Sequence, residues 1–282
     1  MGRRLGQHFL TDRAILDRIV AAIHPEPGDV VIEIGPGRGS LTRRLAPRVA
    51  HVIAIERDAR LAALLRGAGS EQRGAELASP IPEHVRVVHG DALKVDWHAE
   101  LESAAGPFAP RARRPASEFK IVGNIPYNIT SPLIDKALSP PLPQVVAFLV
   151  QREVAERLAA EPGTRAYGAL TVGVRSLASV ERLLVVRPGS FTPPPRVDSV
   201  LVRITPRANP LLPHDQIAGF RRFSTALFSQ RRKQLRRILR SILQLDAAAV
   251  ESELGRHGID PTTRPEMLSP EEIVHLFRVL GR

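Results

Sequence analysis

Apolar residues along this chain fall in short continuous runs: Asp29–Ile34, His51–Ile55, Val85–His89, Phe119–Val122 and Val145–Val150. Runs of that length read as strands buried on both faces. Between them, stretches such as Leu41–Ala46 and Ala59–Leu65 carry apolar residues at helical spacing. Strand alternating with helix predicts an α/β fold, a parallel sheet covered by helices on both faces. Two later runs, Val180–Val186 and Val200–Ile204, lie closer together across Phe191-Thr-Pro-Pro-Pro and read as an antiparallel edge. The segments Gly67–Glu83 and Gly106–Ser117 show no periodicity and read as exposed loops, the second a candidate basic contact. Residues 207–213 (RANPLLP) read as a linker, and beyond them positions 217, 220, 227, 228, 235, 238, 239, 242 and 243 keep one apolar helical face. The expected organisation is therefore an α/β domain over 1–206 and an all-helical one over 207–282, with no internal repeat.

Composition sharpens this picture. The 282 residues are 43% hydrophobic and 24% charged, enough to bury a sizeable core. Forty Lys and Arg against 29 Asp and Glu give +11, and four of those cations are lysine, so the excess is arginine. That balance suits a polyanion, unless the charge is merely spread over solvated faces. It is clustered: from Gln216 to Leu245 there are eight basic residues and no acidic one. With no cysteine, disulfides, thiolate metal sites and thiol nucleophiles drop out. The basic start MGRRLGQHFL leads into no apolar segment, and no run of about 18 apolar residues exists to span a bilayer, so a cytoplasmic protein is expected.

Candidate chemistry begins where Asp29–Ile34 runs into Gly35-Pro36-Gly37-Arg38-Gly39-Ser40. Three alternate glycines let the backbone turn tightly and approach a ligand closely, although a purely structural turn would look the same. Glu56 ends the next strand, 21 residues past Gly35, where doubly wound nucleotide folds hold a ribose diol. Asp91 follows the third strand and is a candidate acceptor for an adenine amino group; alone it would be an ordinary turn residue. The spacing is G-x-G-x-G rather than G-x-G-x-x-G, and P-loop, H-E-x-x-H and G-x-S-x-G signatures are absent. The nine histidines are scattered, with no ligand spacing.

The fourth strand ends VGNIPYNIT, Val122–Thr130. Asn124 thus falls in line with the glycine turn, Glu56 and Asp91. An amide carbonyl together with a backbone carbonyl suits the two N–H bonds of an exocyclic amine, Tyr127 can stack on its ring, and the proline keeps the turn rigid. A structural Gly-Asn-x-Pro turn is the plainer alternative.

GQHFL (6–10), EIGPGRGSLT (33–42), AIERD (54–58), GDAL (90–93), GNIPYNIT (123–130), FTPPPRVDS (191–199) and SQRRKQLR (229–236) together resemble the ribosomal RNA adenine N6-dimethyltransferases, in the same order and over almost the whole chain. The resemblance is greatest to the bacterial small-subunit enzymes. It implies a class I S-adenosylmethionine (SAM) methyltransferase, a Rossmann-like and mostly parallel seven-stranded sheet, with a small helical C-terminal domain. Residues 1–206 would then be the SAM-binding catalytic domain and 207–282 an RNA-binding one. SAM would be the cofactor, S-adenosylhomocysteine (SAH) the product, and no metal would be needed. His8 and Leu10 would touch SAM, with Gly35, Gly37 and Gly39 beneath its methionine part. Glu56 would take the ribose, Asp91 the adenine, and Asn124 both cofactor and target amine, while Tyr127 and Phe191 flank the target base. Many relatives carry Asn at the position of His8. Arg231, Arg232, Lys233, Arg236, Arg237 and Arg240 would meet RNA phosphates.

The implied reaction is dimethylation of N6 on two adjacent adenosines near the 3′ end of 16S rRNA, in the small subunit or its precursor, by a monomer with no membrane association. Three alternatives stand beside it: the same chemistry on 23S rRNA, a ribosome-assembly factor with methylation secondary, and a nicotinamide oxidoreductase.

Overall fold

The computed structural model describes residues 7–67, 81–104 and 119–281. Met1–Gly6 and nearly all of the two aperiodic segments, and so the candidate basic contact, lie outside the described residues. Contacts divide the chain into two units: Met1–Ala155 with Glu181–Pro206, and Glu156–Val180 with Arg207–Arg282.

The first unit opens with β1 (Phe9–Leu10) and α1 (Arg13–Ala22). Asp12 starts this helix by accepting from the Ile15 amide at 3.2 Å. Then come β2 (Val30–Ile34), α2 (Thr42–Leu45), β3 (His51–Glu56), α3 (Ala59–Leu65), β4 (Val85–His89), α4 (Trp97–Ala104), β5 (Phe119–Asn124), α5 (Thr130–Ala137) and β6 (Val145–Gln151). After α6 (Arg152–Leu158) and α7 (Ala169–Arg175) come β7 (Ala178–Val186), β8 (Phe191–Thr192) and β9 (Ser199–Pro206). The main sheet has seven strands in the order β4-β3-β2-β5-β6-β9-β7. Pairing is parallel from β4 through β6, and β9 runs antiparallel to β6. The late strands expected at an antiparallel edge are β7 and β9, neighbours at one end of this sheet.

Parallel neighbours joined through helices leave all their carboxyl ends on one rim. The chain winds outward from β2 to β4 and then returns to place β5 on the other side of β2. The switch in direction therefore lies between β2 and β5, where such sheets open a crevice. Beneath that rim, Leu16, Ile19 and Val20 of α1 and Leu45 of α2 pack with Val31, Val122, Leu149 and Leu201 of the sheet.

In the second unit, α7 packs with α8 (Ile217–Ser229) and α11 (Pro270–Leu280), and α9 (Leu235–Leu243) packs with α10 (Ala247–Arg256). Phe277 meets Phe220 and Phe223 with ring centroids 5.4 and 5.6 Å apart, and the buried Tyr167 hydroxyl donates to the Leu268 carbonyl at 2.7 Å. Two expectations change here. Residues 156–180 group with the C-terminal helices, α7 packing with α8 and α11. Residues 207–213 are not a loose tether: the Arg207 amide donates to Leu177 at 2.9 Å, the Leu211 amide donates to Ser176 at 2.8 Å, and Leu212 is buried.

Candidate active site at the carboxyl rim of the sheet

The strand tips around the switch point enclose a cavity of about 350 Å³. His8, Leu10, Gly35, Gly37, Glu56, Asp91, Asn124 and Tyr127 all lie on its wall. Residues predicted from five separate segments thus share one cavity.

Each is held by local chemistry. Gly35 and Gly37 have φ of +69° and +59°, a left-handed conformation that side chains disfavour. A Cβ on Gly37 would also stand 3.0 Å from the Phe9 ring. The turn is tied to β3, since the Gly37 amide donates to Glu56 Oε2 at 3.0 Å and the Asp58 amide to Oε1 at 2.8 Å. Both bonds lower the Glu56 pKa, yet burial dominates and leaves it raised. Asp91 accepts from the Leu93 amide at 3.0 Å, while Lys136 donates to the carbonyls of Ala92, Leu93 and Val95 and so pins the loop behind it. Desolvation depresses the Lys136 pKa.

The sheet accounts for the Gly-Asn end of β5. Gly123 pairs with Ile34, and a Cβ there would lie 2.5 Å from the Ile34 carbonyl oxygen, so only glycine lets β5 approach β2 this closely. Asn124 then reaches the rim, where its Nδ2 donates to the His8 carbonyl oxygen at 2.8 Å. That bond orients the amide, with Oδ1 as the acceptor it offers a ligand. That contact uses the His8 backbone, so it does not depend on the side chain at this position. The His8 ring stacks on Tyr127, centroids 6.2 Å apart, and its Nδ1 lies 2.8 Å from the Pro193 oxygen.

Two predicted residues are not on the wall. Gly39 lies behind it: its φ of +81° and missing Cβ make room for the Arg43 guanidinium and Leu65. Phe191 is 4% exposed, in the core, because β8 pairs antiparallel with β1 and sets it opposite Leu10. The aromatic neighbours of Tyr127 and the glycine turn are instead His8 and Phe9, the latter with Arg38 4.9 Å from its ring centre.

Sequence reasoning does not single out Glu33, although an acid inside the apolar run Val-Val-Ile-Glu-Ile was the available signal. It lies on the cavity wall, 1% exposed, and burial pushes its carboxyl up to about 7.

The six basic residues predicted to meet RNA lie in the second unit and divide in two. Arg231 donates to the Arg165 carbonyl at 2.7 Å and stands 3.7 Å from Glu266; Arg236 bonds Glu251 at 3.0 Å. These two are engaged within the fold. Arg232, Lys233, Arg237 and Arg240 are exposed, on the turn before α9 and on the face of that helix opposite Leu235, Ile238 and Leu239. Among the described residues no helix is long and apolar enough to cross a membrane, and no group of three or more acidic or histidine side chains could hold a metal.

The model of the family described as ribosomal RNA adenine dimethylase matches residues 2–281. The chain is 40% identical over 285 residues to the ribosomal RNA small subunit methyltransferase A of Synechococcus elongatus, covering 99% of this chain and 95% of that one. Its namesake in Pseudomonas aeruginosa is 38% identical, covering 99% and 94%. Among solved structures, a dimethyladenosine transferase from Plasmodium falciparum is similar with a TM-score of 0.75 and 26% identity, covering 97% of this chain and 98% of that one. The 23S rRNA methyltransferase ErmE is similar with a TM-score of 0.67 and 29% identity, covering 97% and 100%.

Proposed function

The chain belongs to the ribosomal RNA adenine dimethylase family, an rRNA adenine dimethyltransferase with the class I methyltransferase fold, and on that premise we propose that it dimethylates N6 of two adjacent adenosines near the 3′ end of 16S rRNA, with SAM as donor. The substrate follows from relatives that act on the small subunit at up to 40% identity over nearly the whole chain.

The cavity suits such a donor. A glycine cradle that a Cβ would fill, a carboxylate at the end of β3 for ribose hydroxyls and another after β4 for an adenine amine form a nucleoside-binding donor set. SAM supplies a methyl group already activated on a sulfonium. Glu56 would accept from the ribose hydroxyls through lone pairs its amide bonds leave over, and Asp91 would accept from the cofactor's adenine.

The reading is carried by the Asn124 amide, anchored through Nδ2 on the cavity wall beside Tyr127, which leaves Oδ1 as its acceptor for a ligand. Oδ1 accepts one N–H of the target adenine, a carbonyl of the Ile125-Pro126 turn accepts the other, and Tyr127 stacks on the base. Held so, N6 would be pyramidal, its lone pair free to accept the methyl that a bound SAM would supply in exchange for the sulfonium C–S bond, and the nitrogen would shed its proton to water. Alignment of this kind contributes up to about 7–11 kcal/mol. The base must leave its stack, at a cost of roughly a few kcal/mol that stacking on Tyr127 offsets. Arg232, Lys233, Arg237 and Arg240 hold RNA phosphates through the C-terminal domain.

Tritiated SAM with unmethylated small subunits should give N6,N6-dimethyladenosine at two adjacent positions near the 3′ end of 16S rRNA. Label confined to 23S fragments, or none on either RNA, would refute the assignment.

A further inference from the structure

Glu33 has no part in the chemistry above. It sits within the fully buried β2, in register with Ala54 and Val122. The residue lines the cavity, and its Oε2 is buried with no hydrogen-bond partner among the described residues, although Thr42 stands close enough to the carboxyl to favour its charged form by hydrogen bonding. A buried acceptor so incompletely satisfied is costly unless something completes it. The groups that face it are Thr42 and the Arg43 guanidinium from α2 and the Glu56 carboxylate from β3. Burial is the largest influence and raises its pKa to about 7; Glu56 adds to the rise, and Thr42 and Arg43 oppose it. Near neutrality this carboxyl is therefore balanced between two protonation states inside the cavity.

The two nucleosides that must occupy the cavity differ by one charge. SAM carries a sulfonium cation, whereas SAH is a neutral thioether with the same ammonium and carboxylate. We propose that Glu33 is a proton-linked counter-charge of the donor site, its carboxylate form favoured by SAM and not by SAH, so that the site distinguishes substrate from product by charge. This rests on the cofactor reading above. Binding of SAM expels the Glu33 proton to solvent, because a cation in a poorly solvated cavity favours the carboxylate. After transfer the positive charge has left on the nitrogen, whose proton goes to water; Glu33 takes a proton back, and its attraction for the product is lost. Over a cycle the carboxyl is restored.

Calorimetry of the full chain with SAM and with SAH, in phosphate and in Tris, reads this directly. SAM should release about half a proton at pH 7 and about 0.9 at pH 6, and SAH none. The preference for SAM over SAH should rise by up to about tenfold per pH unit between pH 5 and 7 and level off above. In Glu33→Gln both the proton release and the slope should vanish. Equal release with the two ligands, or release that persists in the variant and so comes from Glu56, would overturn the inference. SAM heats independent of buffer would overturn it alone, and no SAM heat at all would overturn the cofactor reading with it. Should the variant fail to fold, the wild-type comparison of SAM with SAH still decides.

Discussion

The main sheet buries charge at both of its ends, with opposite outcomes. At the amino end, Lys120 of β5 and Asp29 just before β2 are 6% and 7% exposed and 2.7 Å apart. Lys120 also donates to the His24 carbonyl at 2.6 Å, and the Glu26 amide donates to Asp29 at 2.6 Å. At the carboxyl end, four residues further along the chain, Glu33 keeps an oxygen with no hydrogen-bond partner among the described residues, and Glu56 is held by backbone amides. A buried charge is tolerated when paired and hydrogen-bonded. Where the pairing is complete the cluster is structural; where it is left incomplete on a cavity wall, the proposed donor would supply the missing charge.

The largest effect should come from breaking the closed end. Lys120→Met leaves Asp29 buried and uncompensated and should cost about 3–5 kcal/mol in urea unfolding, most of it recovered by replacing Asp29 as well. At the open end, Asn124→Ala should keep the fold but lower methyl transfer by about a hundredfold or more, the loss expected on removing an oriented transition-state contact; near-normal turnover would refute the amine-holding role. The sign reverses at Glu33. Between pH 4.5 and about 7 the native state holds a proton that the unfolded chain has released, so stability falls as pH rises through that window. Glu33→Gln should abolish that fall, a gain of up to about 3 kcal/mol relative to wild type at pH 8, read by unfolding at several pH values.

Smaller effects test the surface. Neutralising Arg232, Lys233, Arg237 and Arg240 together should weaken RNA binding and flatten its salt dependence while SAM affinity stays unchanged; neutralising Arg231 or Arg236 should lower stability instead, since both are bonded within their own unit. Last, His8→Asn should change turnover by less than about threefold, because Asn124 uses the backbone oxygen at that position.

Much of the rim was legible in the chain. Gly35, Glu56, Asp91 and Asn124 each follow an apolar run, and parallel connection alone brings such ends together. The pairing of β1 with β8 was not legible: two residues carry no periodicity, and Phe9 and Thr192 are far apart along the chain. It is this pairing that draws Phe191 into the core and brings the His8 segment to Asn124. The basic cluster was visible as composition, but nothing local distinguishes Arg231 and Arg236, which meet Glu266 and Glu251, from the exposed Arg232 and Arg237.

The sequence by itself determined the α/β alternation, the glycine turn and the polar strand tips, because periodicity and backbone conformation act over a few residues. Only the tertiary structure decided which buried charges cancel and which stay open to a ligand. Coulombic pairing and desolvation depend on distances between residues that the chain brings together from far apart, as Lys120 shows with Asp29 and Glu33 with its unpartnered oxygen.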